Sequence, residues 1–320
     1  MDKHDRIYVA GHAGLVGAAI LRRLHAEGCT NLLTRPRADL NLTRHEQVDE
    51  FFARQRPAYV FLAAARVGGI LANDTYPADF IRENLLIQTH VIDAAWRHGA
   101  RKLLFLGSSC IYPKLAPQPM PEDCLLTGPL EPTNSAYAIA KIAGLEMCAA
   151  YRRQHGFNAI ALMPTNLYGP GDNFDLQNAH VLPALLRKMH AAKIGGAAQV
   201  EIWGSGRPRR EFLYVNDLAD AAVFLMCNYD AGGLINVGVG EDVSIRELAE
   251  LIRDVVGYQG ELRFDAGKPD GTPRKLLDVS RLSALGWQAR TPLRAGIEQT
   301  YAWYLEHRAA RDAAPTGQAP

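Results

Sequence analysis

Short apolar runs alternate with longer amphipathic ones over the first half of the chain. Residues 7–10, 31–35, 59–62, 102–107 and 158–163 are brief and mostly apolar, and predict strands. Between them, 18–27, 44–55, 80–98 and 142–151 carry apolar residues at helical spacing; the third does so with Ile81, Leu85, Val91, Ile92 and Ala95. The run Lys102-Leu103-Leu104-Phe105-Leu106-Gly107 is apolar almost throughout, as in strands covered on both faces of a parallel sheet. Strand and helix in regular succession predict an α/β fold built on a doubly wound parallel sheet. Beyond residue 164 the rhythm loosens. A helix over 181–192, a strand at 200–203, a helix from 215, a strand at 234–237 and a helix over 244–256 follow. Ser244 and Glu247 open the last of these in capping-box spacing. The 234–237 strand is expected to rejoin the main sheet. We therefore expect a main domain from 1–168 and 213–239 and a smaller α/β lobe from 169–212 and 240–308. A disordered tail is expected at 309–320, where Ala, Pro and Gly leave little to bury.

The first strand runs into Gly11-His12-Ala13-Gly14-Leu15-Val16-Gly17 and then a helix. Strand, glycine turn and helix in this order make a dinucleotide-binding unit. Gly11 permits the tight turn, Gly14 lets the backbone approach a pyrophosphate, and Gly17 lets helix pack on strand. A purely structural turn would not need three glycines in that register. The G-x-x-G-x-x-G spacing is the variant seen in short-chain dehydrogenases, which narrows the fold to a Rossmann-type sheet. An NAD site usually ends its second strand with Asp or Glu, to hold the ribose 2′-hydroxyl. Here the positions read Thr34-Arg35-Pro36-Arg37. The guanidiniums of Arg35 and Arg37 suit a 2′-phosphate, so NADPH is favoured over NADH. The third strand ends in Ala63-Ala64-Ala65, small enough for a cofactor to approach closely.

The fourth strand ends in Gly107-Ser108-Ser109-Cys110, and ligands of open parallel sheets sit beyond the carboxyl ends of the strands. On an extended segment Ser108 and Cys110 point the same way and enter the cleft together. Tyr137 and Lys141, at i and i+4, share one face of the next helix. An ammonium there lowers a phenol pKa that is otherwise about 10. Tyr137 can then hand a proton to an oxygen near neutral pH. Ser108 supplies a second hydroxyl for the same carbonyl oxygen. Proline-rich residues 113–132 predict a loop over this site. Farther on, Trp203 stands near Arg207, Arg209 and Arg210: an indole to pack against a base, and forks for phosphates. A buried Trp beside a solvated charge run is the bland alternative. The charged loop at 268–275 can cover a nucleotide.

Composition removes other classes. With 35 basic and 34 acidic side chains the net charge is +1, so no field draws the chain to nucleic acid or acidic membranes. No apolar run reaches the ~18 residues of a membrane span, and the N-terminus lacks a signal-peptide pattern. Five scattered cysteines, none in C-x-x-C, argue against a disulfide framework and against a zinc site. We expect no metal and a cytoplasmic location.

These motifs carry a resemblance. Gly11-His12-Ala13-Gly14-Leu15-Val16-Gly17, Gly107-Ser108-Ser109-Cys110-Ile111-Tyr112-Pro113 and Tyr137-Ala138-Ile139-Ala140-Lys141 are similar to motifs of the GDP-L-fucose synthase family. So are Pro164-Thr165-Asn166-Leu167-Tyr168-Gly169-Pro170, Trp203-Gly204-Ser205-Gly206 and Lys268-Pro269-Asp270-Gly271. That family belongs to the extended short-chain dehydrogenases/reductases, and the similarity spans residues 6–305. The resemblance implies NADPH-dependent conversion of GDP-4-keto-6-deoxy-D-mannose to GDP-L-fucose. C3 and C5 are epimerised, then C4 is reduced by hydride. It implies Cys110 as base and His180 as acid in the proton exchanges, Ser108 and Tyr137 at the C4 oxygen, and Lys141 on the nicotinamide ribose. It extends the cofactor set to His12, Ala13, Leu15, Val16, Asp39, Leu40, Leu106, Gly107, Pro164, Asn166, Leu167 and His180. It assigns the substrate to Ser108, Cys110, Asn166, Lys188, Trp203, Arg210 and Asp270. Some members carry Arg where this chain has Ala13, to contact the 2′-phosphate; here that work falls to Arg35 or Arg37. The implied assembly is a homodimer. GDP-L-colitose synthesis, with epimerisation at C5 alone, is the alternative for the same residues. A 4,6-dehydratase would instead follow the strand-end hydroxyl with Asp-Glu, where this chain has Ser109-Cys110.

Overall fold

A computed structural model describes residues 1–309 except Gln177, Pro269 and the side chain of Ile70; of the tail expected over 309–320, Ala309 is half-buried against apolar neighbours and so belongs to the fold, and 310–320 lies outside the described residues. The first half runs β1 (Ile7–Ala10), α1 (Leu15–Ala26), β2 (Leu32–Leu33), α2 (His45–Gln55), β3 (Tyr59–Leu62), α3 (Ile70–Thr75), α4 (Pro77–Arg97), β4 (Lys102–Leu106), α5 (Ser135–His155) and β5 (Asn158–Pro164). The second half runs β6 (Asn166–Tyr168), α6 (Val181–Gly195), β7 (Gln199–Trp203), β8 (Arg209–Arg210), β9 (Phe212–Tyr214), α7 (Val215–Asn228) and β10 (Leu234–Val237). It closes with β11 (Val243–Ser244), α8 (Ile245–Val256), β12 (Glu261–Asp265), β13 (Arg274–Lys275), α9 (Ser280–Ala284) and α10 (Leu293–His307).

Six strands form one parallel sheet in the order β10-β5-β4-β3-β1-β2. The chain builds outward from β1 in one direction to β2 and in the other to β3, which opens a crevice at the carboxyl ends of β1 and β3. β10 rejoins the sheet beside β5, as its apolar pattern predicts. Side chains alternate across the sheet with period two. Tyr8, Ala10, Leu103 and Phe105 enter a core with Phe52 of α2, Val91 of α4 and Leu145 of α5. Ile7, Val9, Leu104 and Leu106 face the other way, onto Ile20 of α1 and Leu218 of α7. A third core joins α6, α8 and α10 around Leu186, Ile252 and Tyr304. The predicted capping box is present: Ser244 Oγ accepts from Glu247 N at 3.1 Å, and Ser244 N donates to Glu247 Oε2 at 2.7 Å. Among the described residues no helix is long and apolar enough to cross a membrane.

Several element boundaries differ from the pattern. β2 has two residues, not five, because Pro36 has no N–H for a ladder and the chain turns there, with Asp39 N donating to Pro36 O at 3.0 Å. α4 starts at Pro77, whose missing N–H costs nothing in a first turn. α3 was hidden by the preceding Gly68-Gly69, which breaks any helical pattern.

Glu211 fastens the junction between the main sheet and the smaller sheets. It is fully buried, and Oε1 accepts from Val239 N at 2.6 Å and Gly240 N at 2.8 Å while Oε2 accepts from Leu277 N at 3.0 Å. Its carbonyl accepts from Asn166 Nδ2 at 2.8 Å and Thr165 Oγ1 at 3.2 Å. Burial pushes the carboxyl pKa up, and the three backbone donors oppose it. We predict that Glu211→Gln, which turns an amide N–H2 toward a buried backbone N–H, lowers stability by about 1–3 kcal/mol in urea unfolding. An unchanged midpoint would contradict this role.

Candidate functional site

The turn between β1 and α1 is shaped by contacts of the chain with itself. Gly11 has φ +83°, and a Cβ there would lie 2.7 Å from Ala64 N; at Gly17 it would lie 2.1 Å from Gly11 O. These two glycines let Ala64 and α1 close on the turn. Gly14 differs: its outer side is exposed, and a Cβ would meet only Gly11 O, at an ordinary 3.5 Å. Gly14 is also the N-cap of α1 and offers no side chain to the first-turn N–H groups. Those donors and the helix dipole are free to hold an anion such as a pyrophosphate. The turn therefore fits a dinucleotide. His12, Leu15 and Val16 are half-buried beside it, and Ala13 is exposed.

No carboxylate closes β2. Arg35 Nη1 donates to Thr34 O at 2.7 Å and its guanidinium lies 5.7 Å from the Phe51 ring centroid. Arg37 is 74% exposed, with Nη2 3.6 Å from Glu83 Oε2. Asp39 is exposed, whereas the side chains of Leu40 and Leu106 belong to the core.

At the end of β4, a Cβ on Gly107 would fall 2.3 Å from Met163 Cε, so any larger residue there would have to displace the end of that side chain. Ser108 is extended, but Ser109–Ile111 forms a 3-10 turn, so Ser108 and Cys110 do not lie on one extended segment as expected. The cause is local. Ser108 Oγ accepts the Cys110 N–H at 3.3 Å and caps the turn. The two side chains nevertheless meet Tyr137: its phenol is hydrogen-bonded to Ser108 and feels the charge of Cys110.

Tyr137 and Lys141 share a face of α5, but the expected depression of the phenol pKa is absent. Burial pushes Tyr137 up, Cys110 adds to this, and the Ser108 hydrogen bond opposes it. Lys141 Nζ is directed at Leu106 O, 2.7 Å away, and lies 5.8 Å from the Tyr137 ring centroid. Burial lowers its own pKa to about 7, so near neutrality it is a weaker positive charge than a free lysine.

His180 is the N-cap of α6. The residue as a whole is exposed, yet protein atoms crowd its ring, and that desolvation lowers its pKa. It makes no hydrogen bond to Ser108, Cys110 or Tyr137; its loop is held by Gly69 N donating to Asn178 O at 3.2 Å. Asn166 and Leu167 lie on β6, which follows directly on Pro164 at the end of β5.

Arg210, on β8, is desolvated, and its charge is favoured by Cys110 and Asp270 nearby. Asp270 accepts from Ser205 N at 2.6 Å and Ser205 Oγ at 2.8 Å, and so holds the Trp203-Gly204-Ser205 turn. The Trp203 indole is exposed rather than buried, with Lys188 Nζ 5.6 Å and Lys268 Nζ 5.4 Å from its centroid. Sequence reasoning missed Arg66 and Glu83, which pair at 2.6 Å. The basic residue directly after Ala63-Ala64-Ala65 was the available signal for Arg66; Glu83, on a helix face, offered none.

A family model for the NAD dependent epimerase/dehydratase family matches residues 7–238. The chain is 60% identical to GDP-L-fucose synthase 1 of Arabidopsis thaliana, over 96% of this chain and 95% of that protein. It is 54% identical to the GDP-L-fucose synthase of Escherichia coli K12, over 95% and 98% of the two chains. Among solved structures, a GDP-mannoheptose C4 reductase from Campylobacter jejuni with NADP bound superposes with a TM-score of 0.89. It shares 40% identity over 95% of this chain and 99% of that one. With a matched turn, a matched sheet and relatives similar over nearly their whole length, the chain belongs to the NAD dependent epimerase/dehydratase family and, within it, to the GDP-L-fucose synthases.

Proposed function

We propose that this chain converts GDP-4-keto-6-deoxy-D-mannose to GDP-L-fucose with NADPH, inverting C3 and C5 before C4 is reduced. The observation that carries this reading is the meeting of Tyr137, Ser108 and Cys110 at the carboxyl end of β4, one strand removed from the β1 end that carries the glycine turn at 11–17. A 4-keto group acidifies the protons on C3 and C5, because their loss gives an enolate. Cys110 takes such a proton as base, and His180 gives one to the opposite face. The desolvation that lowers the pKa of His180 makes its imidazolium the readier donor. Ser108 and Tyr137 donate hydrogen bonds to the C4 oxygen as charge gathers there. When bound, NADPH supplies the hydride for C4. Tyr137, kept protonated by burial, then gives the C4 oxygen its proton.

The first-turn donors of α1 would hold the pyrophosphate, and Arg37 or Arg35 the 2′-phosphate. The lobe of residues 169–212 and 240–308 would hold GDP, with Trp203 against the base and Lys188, Lys268 and Arg210 toward the phosphates. Association as a homodimer through the helices near Tyr137 belongs to the same reading.

The direct test is NADPH oxidation with GDP-4-keto-6-deoxy-D-mannose and identification of the sugar formed. GDP-L-fucose is expected; a product reduced at C4 but unchanged at C3 would overturn the reading. In Tyr137→Phe, reduction should fall about 10²–10⁴-fold while deuterium still washes into C3 and C5. In Cys110→Ser and His180→Gln the wash-in should fail first, and undiminished exchange in both would remove these two residues from their roles. Lys141→Met should abolish reduction yet raise the melting temperature at pH 7. The folded-state pKa of Lys141, about 7, lies below its unfolded value. Its penalty on stability is therefore greatest at and below pH 7 and disappears as pH rises toward ~10.4, so the gap between variant and wild type should close over that range. A gap constant from pH 7 to pH 10 would contradict the buried amine.

A further inference from the structure

Arg37 and Arg66 share one carboxylate. Glu83, on α4 and 8% exposed, brings Oε1 to 2.6 Å from Arg66 Nη1 and leaves Oε2 3.6 Å from Arg37 Nη2. The pair with Arg66 is held firmly. Arg66 also reaches Asp79 at 3.3 Å and lies over the Phe80 ring at 5.3 Å. Asn84 grips its backbone twice, accepting from Arg66 N at 2.9 Å and donating to Arg66 O at 3.0 Å. Arg37, by contrast, is 74% exposed and among the described residues has only the long contact to Glu83. Glu83 is thus a fixed negative charge beside a movable guanidinium, next to the Ala63-Ala64-Ala65 segment that packs on Gly11.

Resting on the cofactor placement proposed above, we infer that Glu83 limits how strongly this chain prefers NADPH over NADH. Two effects compete. Glu83 orients Arg37, but a 3.6 Å pair on a side chain this exposed contributes little. Glu83 also repels what Arg37 would bind: a 2′-phosphate carries nearly two negative charges, and it would face a carboxylate that is shielded from water and that Arg66 offsets only in part. Coulomb repulsion grows with the product of the charges, so repulsion outweighs orientation. The free 2′-hydroxyl of NADH carries no charge and does not sense Glu83. Glu83 acts through Arg37 and through the field at the 2′ position; it is a specificity residue, not a catalytic one.

The test is binding, not turnover: fluorescence titration of NADPH and NADH into wild type, Glu83→Gln, Arg37→Ala and the double variant, at low and high salt. Glutamine keeps an acceptor for Arg66, and NADH affinity reports that the site still folds. Glu83→Gln should tighten NADPH about three- to tenfold at low salt, with the gain shrinking near 0.5 M salt, while NADH stays within about twofold. Arg37→Ala should weaken NADPH about tenfold, and because the repulsion acts on the phosphate itself the double variant should keep most of the gain relative to Arg37→Ala. An unchanged or weaker affinity of Glu83→Gln for NADPH overturns the inference, as does an equal gain for NADH. Wild type that binds neither nucleotide would sink the cofactor placement and the inference with it. Wild type that prefers NADPH beside a Glu83→Gln variant without effect would sink the inference alone.

Discussion

One hydroxyl joins the two halves of the reaction site. Ser108 Oγ accepts the backbone N–H of Cys110 and is hydrogen-bonded to the phenol of Tyr137. The first contact folds the end of β4 into a 3-10 turn; the second ties that turn to α5. Ile111, fully buried in that turn, and the Phe80 ring against Tyr137 hold the two segments from the sides. The turn is anchored from below as well, since Tyr112 OH donates to the fully buried Asn236 Oδ1 at 2.5 Å. The proposed proton exchange and carbonyl reduction would share this one oxygen-binding point.

The site concentrates groups that fold only at a cost. Tyr137 is pushed up by burial, Lys141 is pushed down to about 7, and Arg210 and His180 are desolvated. Each shift disfavours the charged form, as expected where a cleft excludes water. Such positions are where side chains exchange protons near neutrality. The same logic separates Lys102 from Lys141. Lys102 is buried too, but it finds the carbonyls of Met226 and Tyr229, both at 2.7 Å, and Asp230 at 2.9 Å, and serves to clamp the sheet to the end of α7. Among the described residues Lys141 has one carbonyl and no carboxylate partner.

Much of the scaffold was legible in the chain because its signals are local. The strands at 7–10, 59–62 and 234–237 appear where their apolar runs predict, and the Ser244–Glu247 box caps α8. The glycines at 11 and 17 are needed for the reason their spacing suggests, close approach of backbone to backbone. What could not be read were features decided by partners far along the chain. The orientation of Lys141 depends on a carbonyl 35 residues away. The role of Glu211 depends on three backbone donors from two other segments. The turn at 109–111 looked extended because a strand precedes it, and only the Ser108 cap decides otherwise. Arg66 and Glu83 meet across 17 residues, a separation with no periodic signature.

The proposed reaction needs four side chains to face one sugar ring: Ser108 and Tyr137 at its C4 oxygen, Cys110 and His180 on opposite faces. A crystal structure with NADP+ and GDP-L-fucose bound tests this most directly. The account predicts the C4 oxygen within hydrogen-bond reach of Ser108 Oγ and the Tyr137 phenol, with the Cys110 sulfur and the His180 ring on either side of the C3 and C5 positions. A sugar ring that leaves either Cys110 or His180 outside its contact shell would contradict it.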